Sequence, residues 1–281
     1  MLKPRWSNRR AVLLTALTAV IAIIAIFPVY WMVVSSLLPT SETLSTKPPL
    51  LPNPFSLNFA QYLEVFTQST VLQWFMNSVI VTVGSVVISM VVSTLAGYSL
   101  SRMRSHGQTA AGFTMLLTRV LPGTLLVIPL FITFSSLGLL NSLLGLILAN
   151  CTVIIPFAVW LMKGFFDSIP RELEQAAMVD GCTIFAAFRR VVLPLTLPGL
   201  AATTAYAAVL SWSDYLFAKT FIQDRDLWTI TLGSASFVGE HAVDWNSLMA
   251  VGIIAIIPVA ILFLFLEPLL VKGLAGGSVK G

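Results

Sequence analysis

"VLQWFMNSVIVTVGSVVISMVVSTLAGYSL", residues 71–100, decides the fold. It lies within a longer interval, from Glu64 to Arg102, that contains no Asp, Glu, Lys or Arg. A helix rises about 1.5 Å per residue, so roughly 20 apolar residues cross a hydrocarbon core of about 30 Å. This stretch exceeds that length. Lipid offers no hydrogen bonds to a peptide group, so a spanning segment is either a helix or part of a closed barrel, and a continuous apolar run lacks the alternation of a barrel strand. The expected fold class is all-α, a polytopic membrane protein.

The rest of the chain agrees with this stretch. Hydrophobic residues make up 57% and charged residues 10% of the 281 residues, against about 25% charged in an ordinary soluble domain. Apolar runs predict six spans at about 11–38, 71–100, 110–136, 143–166, 199–219 and 247–270. The first continues through "IFPVYWMVVSSLL" and outruns the 7 to 15 apolar residues, roughly, of a cleavable signal, so it is read as a retained span.

Lys and Arg are retained on the cytoplasmic side of a membrane. One side collects Lys3, Arg5, Arg9, Arg10, Arg102, Arg104, Lys163, Arg171, Arg189, Arg190, Lys272 and Lys280, and the other only Lys47, Lys219 and Arg225. Both termini are therefore expected in the cytoplasm, with tails 1–10 and 271–281, a membrane domain over 11–270, and a large cytoplasmic loop over 167–198. The net charge of +4 follows from this topology, and no basic, aromatic-bearing soluble domain points to nucleic acid.

Several chemistries are excluded by residue type and spacing. His106 and His241 fall on opposite sides and have no Cys or His at ligand spacing, so no metal centre is expected. Cys151 lies in a span and Cys182 in the loop, so no disulfide between them is expected. No nucleophile motif and no phosphate-cradling loop occurs. No bound cofactor is expected on this chain, and energy from ATP has to come from another.

Residues 39–70 form a connecting segment. "KPPLLPNPF" is too rich in proline for a helix interior, and "SLNFAQYLEVF" carries Phe59, Leu63 and Phe66 at helical spacing, as in a short helix at the membrane interface. Pro122 and Pro129 interrupt the third span and favour a kink. Arg119 in that span is costly in lipid, by at least about 2.5 kcal/mol, and is expected to face a partner or a wet cavity; Asp214 is the acidic candidate. "SWSDYLFAK" places Trp212, Asp214 and Tyr215 where an aromatic surface, a charge and a hydroxyl would suit a polyhydroxylated solute. Asn150 joins them as a polar residue within a span. Candidate substrate-path residues are thus Arg119, Asn150, Trp212, Asp214 and Tyr215.

The cytoplasmic loop has its own pattern. Pro170 suits a first helical turn with Ser168 as a cap, Glu172 and Glu174 lie near the positive helix end, Gly181 is a natural stop, and Thr183 can cap a second short helix. At 100° per residue, Leu173, Ala176, Ala177 and Asp180 share one face, opposite Arg171, Glu174, Gln175 and Met178.

"EQAAMVDG" at 174–181, nine further residues from Cys182 to Arg190, and "VVLP" at 191–194 resemble the EAA signature of bacterial ABC importer permeases. Gln175 stands where the signature has Glu, and Val191 where it has Ile. "PLFITFSSLGLLNSLLGLIL" (129–148), "FFDSIPRELEQAAMVDG" (165–181), "SWSDYLFA" (211–218) and "GLAGGSVKG" (273–281) are similar to the carbohydrate-importer branch, the maltose-type subunit that comes second of the permease pair; Ser213 replaces its usual Asn. The resemblance implies a type I ABC importer permease fold in the bacterial inner membrane. It also implies a second homologous permease, two cytoplasmic ATPase subunits carrying ATP and Mg, an extracytoplasmic solute-binding protein, and surrounding lipid as partners. The expected ATPase-coupling residues are Glu174, Gln175, Ala176, Ala177, Asp180, Gly181, Arg189, Leu193 and Pro194. The alternative weighed against it is an ion-gradient-driven secondary transporter using Arg119 and Asp214.

Overall fold

The computed structural model describes residues 8–45, 47–67, 69–103, 106–118, 122–239 and 243–277. Among them regular structure is entirely helical, apart from one isolated bridge between Val238 and Val243. In chain order the α-helices are α1 (Asn8–Leu37), α2 (Thr40–Thr43), α3 (Ala60–Thr67), α4 (Ser69–Arg102), α5 (His106–Leu117), α6 (Gly123–Ser136), α7 (Leu143–Asp167), α8 (Arg171–Val179), α9 (Ile184–Ala187), α10 (Leu193–Leu195), α11 (Leu197–Trp212), α12 (Leu216–Phe221), α13 (Ile230–Ser234) and α14 (Trp245–Gly277). Four of them, α1, α4, α7 and α14, are long and apolar enough to cross a membrane singly, and the bent pair formed by 184–195 and α11 can supply a fifth crossing.

The chain divides into two compact units, residues 1–69 with 234–254, and residues 70–233 with 255–281. In the first, α1 presents residues 11–30 exposed along its length. Only its last turns are covered: Val34, Ser35, Ser36 and Leu38 are buried. Asn246, at the start of α14, explains why. Its amide donates to the carbonyls of Ser35 (3.0 Å) and Leu38 (2.7 Å), which close the open end of α1. Nearby, the Ser36 and Tyr62 hydroxyls are 2.6 Å apart, which ties α3 to the same end. The expected short helix in "SLNFAQYLEVF" is thus present as α3.

The second unit is built on α4 and α7. Val81, Ser85, Ser89, Ser93, Gly97 and Ser101 recur every fourth residue along α4 and are all buried. Small residues at this spacing let helix backbones come close. A Cβ at Gly97 would stand 2.9 Å from the Met162 Cβ and 3.0 Å from the Lys163 nitrogen of α7. Ser85 donates to the Ile147 carbonyl at 3.3 Å, and Ser89 to the Cys151 thiol at 3.5 Å. Cys151 is therefore a buried packing thiol and Cys182 a free one, with no disulfide between them.

Two expected spans are divided. The region 110–136 contains α5 and α6 as separate helices, with Pro122 at the N-cap of α6 in a non-helical conformation (ψ 134°). A proline lacks an N–H and has a fixed φ, which suits the start of a helix better than its interior, and α6 begins directly after Pro122. The region 199–219 holds α11 only to Trp212, and a new helix, α12, begins at Leu216.

Candidate functional site: the turn between α7 and α11

Helix α7 stops at Asp167, Ser168 turns its hydroxyl back onto the Phe165 carbonyl (2.7 Å), and Pro170 occupies the N-cap of α8. Ser168 thus closes α7 and does not cap α8. The C-terminus of α8 follows the local rules closely. Gly181 has φ +90°, its N–H donates to the Met178 carbonyl (3.1 Å), and the Cys182 N–H reaches the Ala177 carbonyl (3.0 Å). This pair of bonds is the Schellman arrangement, and it needs a residue free to adopt a left-handed conformation. Thr183 then caps α9 by accepting the Ala186 N–H at 3.2 Å, as its position predicts.

From α9 the chain passes into a π-helical turn, Phe188–Val192, then α10, and bends by 74° into α11. Such wide turns concentrate at functional places in helices. Phe188 and Val192 pack inward on Met162, Phe166 and Ile169, with the Tyr98 ring of α4 tilted against Phe188 at 4.5 Å between centroids and edge-on to Phe166 at 5.6 Å. This aromatic cluster fixes the base of the turn.

A buried polar lock fixes its side. The Arg102 guanidinium, at the end of α4, donates through Nε to the Glu174 carboxylate at 2.9 Å, and both side chains are about 10% exposed. Its other nitrogens donate to the carbonyls of Phe166 (3.0 Å) and Ile169 (3.2 Å) and to the Ser101 hydroxyl (3.2 Å). Arg171 returns a bond to the Ser101 carbonyl at 2.6 Å, while the Ser101 hydroxyl donates to Asp167 at 2.6 Å. One carbonyl of the last turn of α7 (Phe166) and one just beyond it (Ile169), where a helix end leaves acceptors open, are thus bonded by an arginine from another helix. Arg102 is the residue that sequence reasoning missed: it entered only as one of twelve topogenic charges, although it is the first charge after a membrane-length gap.

On α8 the lock buries Glu174 and holds Arg171 half-buried, while Gln175, Ala176, Met178 and Asp180 are exposed and Ala177 is half-buried. On either side of Gly181 stand apolar side chains with no cover: Leu173, Val179 (88% exposed), Ile184 and Phe185 (68% exposed). Arg189 and Pro194 are exposed, whereas Leu193 is half-buried against the aromatic base.

The substrate-path residues separate. Arg119, and with it the expected pairing to Asp214, lies outside the described residues. Asp214 sits in the break after α11 and accepts the N–H groups of Phe217 (3.1 Å) and Ala218 (3.2 Å), so it caps α12. Its own carbonyl accepts the Thr231 hydroxyl at 2.7 Å, and Asn150, buried in α7, stands beside its carboxylate. Trp212 is buried, donates from its indole to the Ala255 carbonyl at 3.0 Å, and walls an apolar cavity of about 220 Å³ with Val79, Val83, Thr204, Ala208 and Pro258. Tyr215 is exposed. Asn150 and Asp214 are brought together, and Trp212 faces hydrocarbon-like surroundings.

Membrane-length helices, with a turn that projects uncovered apolar side chains from between two of them, define a polytopic membrane protein. The chain belongs to the family described as binding-protein-dependent transport system inner membrane components, which matches residues 89–276. It is 34% identical over 276 residues to the diacetylchitobiose uptake system permease protein DasC of Streptomyces coelicolor, covering 98% of this chain and 97% of that one. Its fold matches the crystal structure of a bacterial ABC transporter involved in the import of the acidic polysaccharide alginate, with a TM-score of 0.79 at 22% identity over 95% of this chain and 99% of the other. A second structure, the bacterial alginate ABC transporter in complex with alginate pentasaccharide-bound periplasmic protein, matches with a TM-score of 0.68 at 15% identity, covering 94% and 96%. The protein is an inner-membrane permease subunit of an ABC importer.

Proposed function

We propose that this permease imports a sugar or sugar derivative, and that the turn 168–194 is the element through which a separate ATPase drives it. The observation that carries this reading is that the turn is held to the bundle through buried Glu174 while large apolar side chains on both sides of Gly181 stay uncovered. A loop that only joined two spans would have no need to expose Val179, Ile184 and Phe185. A partner cleft that desolvates these side chains gains about 25 cal/mol for each Å² removed from water. Alanines 176 and 177 permit a close approach, and the φ of Gly181 sets the angle between the two short helices.

In this reading both termini and the turn are cytoplasmic, and six crossings are made, with α5 and α6 together forming the third and 199–221 containing the fifth. The functional unit contains a second homologous permease and two ATPase subunits, on which ATP and magnesium act. A solute-binding protein delivers sugar from the opposite side. The saccharide class is supported by the diacetylchitobiose and alginate systems to which the chain is similar. An ion-gradient mechanism would need Arg119 and Asp214 as titrating or pairing charges, and Asp214 is instead committed to capping α12.

Val179→Asp tests the coupling assignment. The side chain is exposed, so the permease is expected to insert at its normal level, yet to lose both the co-purifying ATPase and ATP-driven uptake. Retention of both at wild-type levels would remove the turn from the coupling role.

A further inference from the structure

Two routes lead from the turn to the far side of the bundle along its own chain, and both are interrupted. The route through α11 begins with the 74° bend and ends at Trp212. The route through α7 contains Pro156. Helix α4 is different: of the four longest helices among the described residues, it alone has no internal proline. Its small-residue face lies flush against α7, and at Gly97 it approaches the α7 backbone so closely that no side chain fits.

Both ends of α4 are fastened to backbone. At one end Arg102 is bonded to Glu174 of α8 and to the carbonyls of Phe166 and Ile169, and Ser101 to the Asp167 carboxylate. At the other end, the Trp74 indole donates to the Arg225 carbonyl (3.1 Å), and the Asn77 amide donates to the carbonyls of Asp226 (2.8 Å) and Trp228 (2.9 Å). Ser78 accepts the Ile230 N–H at 2.7 Å. The Arg225 guanidinium lies over the Trp74 and Trp228 rings at 5.6 and 5.7 Å. A Cβ on Gly233 would collide with the Trp74 ring at 2.0 Å. Side chains that bond main-chain groups fix the position of a segment more firmly than surface ion pairs, which contribute little. From Asn77 to Arg102 the helix rises about 38 Å.

We propose that α4 is the transmission rod of this permease. Arg102 holds the ATPase-facing helix α8 to one end, Trp74, Asn77 and Ser78 hold segment 225–233 to the other, and displacement of α8 is delivered across the membrane as displacement of that segment. Arg102 and Asn77 are positioning residues, acting on solute only through the elements they hold. Segment 225–233 carries Arg225 and Asp226 exposed on the side expected to meet the solute-binding protein, so the rod links the state of the ATPase to the surface that receives cargo. This inference rests on the coupling role of the turn.

Coupling between distant sites is measured by a double-mutant cycle. The complete transporter, with its ATPase and binding protein, is reconstituted in vesicles carrying Glu174→Gln, Asn77→Ala, or both, and solute uptake per ATP hydrolysed is recorded. Each single variant is expected to keep its ATPase bound and to lose uptake per ATP by about 5-fold or more. The double variant is expected to be no worse than the worse single one, because a rod released at either end transmits nothing. Losses that multiply in the double variant would overturn the proposal, as would two single variants that couple like the wild type. Should either substitution prevent insertion, Arg102→Lys and Ser78→Ala put the same two ends through the same cycle. An ATPase that stays bound to the Val179→Asp permease, with full uptake, sinks the coupling reading itself and is thereby told apart from failure of the rod alone.

Discussion

The turn 168–194 and the break at 213–215 were expected to do similar things, each offering an acidic side chain to something outside the chain. In both, the acid is turned inward: Glu174 to Arg102, and Asp214 to the first N–H groups of α12. What surrounds them differs. The turn is left with apolar side chains uncovered, Val179, Ile184 and Phe185, whereas the segment after α12 exposes Gln223, Asp224, Arg225 and Asp226. The two acids thus hold their own regions in shape; the turn exposes large apolar side chains beside Glu172, Asp180, Arg189 and Arg190, whereas the exposed side chains of 223–226 are all polar or charged.

The comparison breaks most severely at Gly181. Gly181→Asp forces a Cβ into a left-handed conformation, at about 1–2 kcal/mol, and changes the angle between α8 and α9. Uptake is expected to be abolished with the ATPase released, while the level of permease in the membrane is kept; uptake near normal would mean that the angle of the turn is immaterial. Next comes Arg102→Ala, which leaves Glu174 buried without its cation. Losing one partner of a buried pair costs about 3–5 kcal/mol, so thermal unfolding in detergent should shift to clearly lower temperature, and an unshifted transition would show the lock to be ornamental.

Asp214→Ala is a milder break. Losing a helix cap costs about 1 kcal/mol, and uptake should fall only with the amount of folded protein, its KM for solute unchanged. A KM raised tenfold or more would put Asp214 on the solute's path after all. The smallest effect sharpens the contrast between buried and exposed charge. Lys163 pairs with Asp167 at 2.5 Å, with side chains 36% and 45% exposed, and such pairs contribute about 0.3–0.5 kcal/mol. Lys163→Ala should leave unfolding and uptake almost untouched, and a loss comparable to that of Arg102→Ala would refute the distinction.

Local rules made much of the molecule legible. The charge-free interval before Arg102 predicted α4, and glycine and threonine at 181 and 183 predicted where one short helix stops and the next begins. Each of those features depends on residues within one or two turns. Pro122 and Pro129 announce a kink in the third span, and Pro122 stands where α6 begins while Pro129 lies inside it; the end of α11 at Trp212 is harder to read, because hydropathy sums over a window and is blind to a carboxylate at 214 that competes for backbone N–H groups. The inward turn of Glu174 was beyond local rules for another reason. A helical wheel divides α8 into faces, but which face turns inward is decided by Arg102, 72 positions earlier, and by the carbonyls it has to satisfy. The Ser and Gly residues at every fourth position of α4 were a readable signal for its packing partner, hidden by the strength of the hydropathy around them.

The central claim, that the uncovered tip of the turn is gripped by an ATP-hydrolysing partner on the cytoplasmic side, is tested most directly by single cysteines at Val179 and Phe185 in a background with Cys151 and Cys182 replaced. A short bifunctional thiol crosslinker applied to inside-out vesicles is expected to join both positions to the ATPase subunit, with yields that change when ATP is added. Crosslinks that never reach a nucleotide-hydrolysing chain, or cysteines labelled by an impermeant reagent only from the opposite face of the membrane, would contradict it.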